Sequence, residues 1–149
     1  MSQQTESVLN RVLIDMGRSF LQYISDAWPW VDPLAQSIQD QVMVIATRQR
    51  QDVGDIADLL TQREHFIDFG TFPTEYTDLQ FLSLDKILQY VHQSQSSVCN
   101  SVAQGLAIVK ASGDDDAAAT ILAAVEIRQK EATAALSELH AQLSVAAAG

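Results

Sequence analysis

The chain has 149 residues, a length that argues for one domain able to bury a core without disulfide or metal staples. Hydrophobic residues at 47% exclude a disordered tail, and a mean hydropathy of +0.01 with no apolar run of about 18 residues excludes a membrane-spanning helix. Nineteen acidic against nine basic side chains give a formal charge of −10 and a pI near 4.4, which sets the surface against nucleic acid and anionic lipid.

Cys99 is the sole cysteine, so no intramolecular disulfide forms. The opening Met-Ser-Gln-Gln-Thr-Glu lacks a basic region followed by an apolar stretch, and a cytoplasmic location is expected. Proline occurs only at 29, 33 and 73, and between these punctuators apolar residues recur at helical spacing, never with a sustained period of two. Four long helices and no sheet are predicted.

The first helix spans about Thr5 to Ala27, with the stripe Leu9, Val12, Leu13, Met16, Phe20, Tyr23 and Ile24. A corner, Asp26 to Pro33, follows; Asp32 is a suitable N-cap and Pro33 a suitable first helical residue. Trp28 and Trp30 flank Pro29 there, either as an interface anchor or as an end-cap of the core. The second helix spans about Pro33 to Glu64 and carries Leu34, Ile38, Val42 and Ile45, then a polar interruption, then Val53, Ile56 and Leu60.

His65 to Leu82 separates the second and third helices, and its seven aromatic and aliphatic side chains (Phe66, Ile67, Phe69, Phe72, Tyr76, Leu79, Phe81) predict a crossover packed along the molecule. The third helix spans about Leu84 to Ala111, capped by Ser83, stapled by Leu82 against Ile87 and ended by Gly113. Asp114 to Asp116 cap the fourth helix rather than hold calcium, since the ligand spacing of a calcium loop is missing. That helix carries Ile121, Leu122, Val125, a polar break, Ala132, Leu136, Leu139 and Leu143, and Val145 to Gly149 are expected to fray. Gly17, Gly54 and Gly105 inside helices suggest close helix approach.

Four stripes of similar length cover one another as a bundle, with the first two and the last two helices as antiparallel neighbours. This order, two helix pairs joined by one long crossover, resembles the ferritin-like fold. The stretch Gly70-Thr71-Phe72-Pro73-Thr74-Glu75-Tyr76-Thr77-Asp78-Leu79-Gln80-Phe81-Leu82-Ser83-Leu84-Asp85 is similar to a crossover in small bacterial members of that superfamily. The resemblance implies an all-α, up-down four-helix bundle.

Working members of that fold hold two metal ions, with one Glu from each of two helices and Glu-x-x-His from each of two others. This chain contains no Glu-x-x-His. Where those ligands would stand it offers Gln49 and Asp52 on the second helix, Gln95 with His92 one turn earlier on the third, and Glu126 and Gln129 on the fourth. The first helix offers only Asp15 at the stripe's edge, with Ser19 beside it. Amides are weak ligands for iron or manganese, so the set reads either as a degenerate metal pocket or as a buried hydrogen-bond network, and the second is favoured. Arg48, Arg50 and Arg128 are close enough in sequence to neutralise Asp52 or Glu126. His92 reads as a ligand or as a hydrogen-bonded core-edge histidine, His65 and His140 as surface residues, and Cys99 as a small core filler.

No phosphate loop, zinc spacing or nucleophilic triad signature occurs. The expected function is therefore that of a metal-free, non-catalytic bundle that binds or scaffolds, as a homodimer through helix faces or the tryptophan corner. The alternatives are a divergent dimetal oxidoreductase using Asp52, Glu126 and His92 with iron or manganese, and an acidic adaptor for another protein.

Overall fold

The computed structural model describes residues 2–28, 33–81 and 83–148. Among them are five α-helices, a 3-10 helix and no strand. The α-helices are α1 (Ser2–Gly17), α2 (Phe20–Asp26), α3 (Pro33–Gln62), α4 (Leu84–Ser112) and α5 (Asp116–Ala148), and the 3-10 helix is Thr74–Phe81. Among the described residues no helix is long and apolar enough to cross a membrane.

The first predicted helix is in fact two, α1 and α2. The Ser19 N–H bonds Met16 O at 3.3 Å, three residues back instead of four, and Ser19 turns to an extended backbone, φ −68° and ψ 160°. Its hydroxyl then accepts from the Gln22 N–H at 3.4 Å and so caps a new helix. Met16 and Phe20 stay on the buried side through the break, which is why the stripe looks continuous in sequence.

Pro33 opens α3, where its missing N–H is harmless. The proposed Asp32 cap, Trp30 and the Leu82 staple lie outside the described residues. Ser83 caps α4 by accepting from the Lys86 N–H at 3.3 Å, and Gly113 ends it at φ 70°, its N–H on Val109 O. Asp115 caps α5 by accepting from the Ala118 N–H at 3.1 Å and binds Arg63 through two bonds of 2.6 and 2.7 Å, so the end of α3 is tied to the α4–α5 turn. The alanine-rich end of α5 is helical to Ala148 instead of frayed, in keeping with alanine's high helix propensity.

α1 packs on α3 and α4, α2 on α3 and α4, and α5 on α3 and α4. The buried apolar side chains form two clusters. One joins Leu9, Val12, Leu13 and Met16 of α1 to Ile56 and Leu60 of α3, Val98 to Val109 of α4 and Ala118, Leu122 and Val125 of α5. The other joins α2 to Ile38 to Ala46 of α3, Ile87 to Val91 of α4 and Leu136, Leu139 and Leu143 of α5. The chain meets the first cluster before the second in α1–α2 and in α5, and the second before the first in α3 and in α4.

This order requires the α3–α4 connection to run back past both clusters, and it does. Asn10 donates to Asp68 O at 2.8 Å and accepts from the Asp68 N–H at 2.9 Å; Arg18 donates to Phe69 O at 3.0 Å and stands over the Phe72 ring; Tyr76 packs on Phe20 and Tyr23. Gly70 has a left-handed φ of 68°, and a Cβ there would sit 2.8 Å from Ile14 Cγ2, so glycine lets the connection lie flat on α1. The predicted aromatic packing is only partial. Phe72 and Tyr76 are covered, whereas Phe66 is 84% and Phe69 51% exposed. Close helix approach is likewise confined to Gly105, where a Cβ would meet Val12 Cγ2 at 2.9 Å; Gly17 has ordinary contacts and Gly54 open space.

Candidate functional site

A polar layer separates the two apolar clusters. Gln49, Asp52, Gln95 and Gln129 all have 2% or less of their surface exposed, and Ser19 and Gln22 are buried beside them. Each occupies the position in its helix where the next core residue would fall. On α3 the buried series runs Val42, Ile45, Gln49, Asp52, Ile56; on α4 it runs Val91, Gln95, Val98; on α5 it runs Val125, Gln129, Leu136.

Gln49 is the hub. Its amide donates to Gln95 Oε1 at 3.0 Å and to Gln129 Oε1 at 2.9 Å, while its carbonyl accepts from Ser19 Oγ at 3.1 Å and Gln22 Nε2 at 2.9 Å. Gln95 Nε2 donates to Gln129 Oε1 at 2.9 Å and to Gln129 O at 3.2 Å. Gln129 Nε2 donates to Asp52 Oδ2 at 2.7 Å, and Arg128 Nε donates to Asp52 Oδ1 at 2.5 Å. Gln22 reaches back to Ala46 O at 2.8 Å and accepts from Arg50 Nε at 3.0 Å. Burial pushes the Asp52 carboxyl above the usual carboxylate range, and the bonds from Arg128 and Gln129 pull against that rise.

Two residues grouped with this set by sequence stand apart from it. Glu126 is partly exposed, with Lys130 as its ion partner at 3.9 Å, and His92 is half-buried with no bond to the layer. Asp15 accepts from Ser101 Oγ at 2.6 Å, outside the layer. Cys99 lies 3.2 Å from Thr133 Oγ1, and Trp28 is half-buried against the second cluster. His65 and His140 are half-buried, not fully exposed, and His140 Nε2 lies 2.8 Å from Asp85 Oδ1.

Gln22 was not legible as a member. The restart at Ser19 changes the helix phase, so Leu21, Gln22 and Ser25 turn inward where an unbroken helix would present Tyr23. A serine in the middle of an apolar helical stripe, directly after Gly17-Arg18, is the signal that points to it.

Carboxylates and imidazoles are the donors a pair of iron or manganese ions requires. Here Asp52, the acid of the layer, is already bonded at both oxygens, the three glutamines spend their amides on one another and on Asp52, and among the described residues no three of His, Cys, Asp and Glu come together as a ligand group. The layer does not fit a dimetal centre.

Outside the layer, between α3 and α5, lies a groove of about 540 Å³. Ile45, Ala132 and Ala135 supply its apolar surface, and Arg48, Asp55, Arg128 and Glu131 are among its charged residues. Arg128 joins layer and groove: it holds Asp52 and also approaches Asp55 at 3.5 Å. The groove continues past Ile45, Arg48 and Ala135 to Val44, Glu138 and Leu139.

No protein-family model matches the chain, and neither a curated protein nor a solved structure matches it.

Proposed function

We propose that this protein is a four-helix bundle of ferritin-like order that works without a metal, as a non-catalytic binding or structural protein, in the form of a homodimer. The opposed order in which the helices meet the two apolar clusters, with one long connection between α3 and α4, supports the bundle reading. α1 and α2 together act as the first of the four rods. The observation that carries the metal-free reading is the closure of the central layer. Gln49 uses both amide hydrogens and both carbonyl lone pairs on neighbouring side chains, and Asp52 is neutralised by Arg128. Coordinating two cations there would break these bonds and leave most of the added charge uncompensated.

Elemental analysis tests this directly. Protein expressed with iron and manganese supplied is expected to carry well under one ion per chain. About two ions per chain, lost on Glu126→Ala, would overturn the reading in favour of a dimetal oxidoreductase.

A further inference from the structure

We infer that the α3/α5 groove is the seat of a second copy of this chain, packed face to face so that Arg48 of each copy meets Glu131 and Glu138 of the other. The inference rests on the homodimer reading and adds the surface that makes it. Arg48, Glu131 and Glu138 all line the groove, and among the described residues none of the three forms an ion pair within its own chain. Arg128, by contrast, is held by Asp52 and Asp55.

An unpaired cation on one wall and unpaired acids on the other make a surface that complements itself. Rotation by 180° about an axis along the groove lays each copy's α3 over the other's α5, which is the geometry of an isologous contact. Ile45, Ala132, Ala135 and Leu139 lie between the walls, and Val44, 53% exposed, adds an aliphatic side chain that packing would cover. The alanines leave room for a helix to come close.

Two chains of −10 repel each other, so a contact between them needs opposite charges set face to face. Of the nine basic residues Arg48 and Arg128 line the groove, and Arg128 is already engaged by Asp52 and Asp55, so Arg48 is the side chain that meets the second copy's acids. The groove from Gln41 to Asp55 is about 21 Å long at 1.5 Å per residue, and a face two helices wide is about 20 Å across. That projected area, about 420 Å² on each copy, falls below the roughly 800 Å² per partner of a stable interface and points to a weak, reversible, concentration-dependent dimer.

Light scattering and sedimentation equilibrium from about 1 to about 200 μM, with circular dichroism to check folding, test the proposal. Wild type is expected to pass from monomer to dimer in this range. Arg48→Glu is expected to weaken the dimer about 100-fold, as is the pair Glu131→Arg/Glu138→Arg, while leaving helicity unchanged. Mixing the two variants restores opposite charges at both symmetric contacts, and a heterodimer within about tenfold of wild-type strength is expected. A dimer indifferent to these reversals overturns this face but leaves the homodimer reading standing. A chain monomeric throughout overturns both, and the groove then falls to a segment of some other protein; neither result touches the metal-free reading, which elemental analysis tests alone.

Discussion

At the scale of single residues, the central layer is an all-or-nothing structure. Gln49→Ala removes four hydrogen bonds at once and strips the Gln95 carbonyl of its partner, at a site with 1% of its surface exposed. Unsatisfied polar groups and the vacated volume together put the cost at about 3–5 kcal/mol. Replacing the layer as a unit, with Gln49→Leu, Asp52→Val, Gln95→Leu and Gln129→Leu, removes donors and acceptors together and frees Arg128 to turn to solvent. That variant is expected to unfold within about 2 kcal/mol of wild type, because apolar packing substitutes well for a buried polar cluster removed whole. Urea unfolding separates the cases; a combined loss as large as the single losses added would mean that the layer has no such cooperativity. Most of the layer was readable as polar residues that keep the phase of an apolar stripe. Gln129 follows Leu122 and Val125 at helical spacing, whereas Glu126 sits one residue, about 100°, off that line, as His92 does beside Val91. The spacing of the dimetal ligand motif places Glu126 and His92 in the set, whereas the phase of the burial leaves them at the edge.

At the scale of elements, the helices were legible because stripe and caps agree, and the misreadings share one cause. A stripe records which side chains turn inward, not whether the backbone ladder is unbroken. Met16 and Phe20 are both buried across the Arg18-Ser19 break, so apolar spacing alone could not separate α1 from α2. The α3–α4 connection shows the converse. Much of its hold on α1 comes from backbone groups, with Asn10 and Arg18 gripping residues 68–70, and backbone contacts leave no apolar signature; Phe66 and Phe69 can therefore face outward. Glycines inside helices are equally silent about their surroundings. Gly54→Ala puts a methyl group into open space in the middle of α3 and is expected to stabilise by about 0.5–1 kcal/mol through helix propensity. Gly105→Ala makes the same chemical change on α4, but its Cβ meets Val12 Cγ2 at 2.9 Å and Val8 Cγ1 at 3.2 Å. Valine has little rotamer freedom to yield, so a loss of about 1–3 kcal/mol is expected there. Opposite signs in thermal unfolding of the two variants would establish that helix packing decides the outcome; stabilisation by both would show that α1 and α4 are less closely packed than the structure has them.

For the whole molecule, charge and topology act together. The α3–α4 connection returns the chain past both apolar clusters before α4 begins, so α4 repeats the order of α3, and the connection lays its own acids, among them Glu64, Asp68 and Glu75, along the molecule. Few of the acids are neutralised locally. Asp115 is the clearest exception: its paired bonds with Arg63 hold its carboxyl below the ordinary carboxylate value. Asp52 and Asp55 share Arg128, and the remaining surface carries a large negative excess. Screening should therefore stabilise this fold, although salt weakens its individual ion pairs. Raising NaCl from about 0.01 to about 0.1 M shortens the screening length from about 30 to about 10 Å, less than the length of any of the three long helices. Repulsion between acids spread over the molecule is then cut off, while the bonded Arg63–Asp115 and Arg128–Asp52 contacts lose little. The thermal midpoint is expected to rise by about 2–4 °C, corresponding to about 1 kcal/mol for a chain of this size. Measuring it on Arg48→Glu keeps dimer dissociation out of the transition. A midpoint that falls with salt would mean that the few ion pairs outweigh the global repulsion, and that the acidic excess is not what limits this fold.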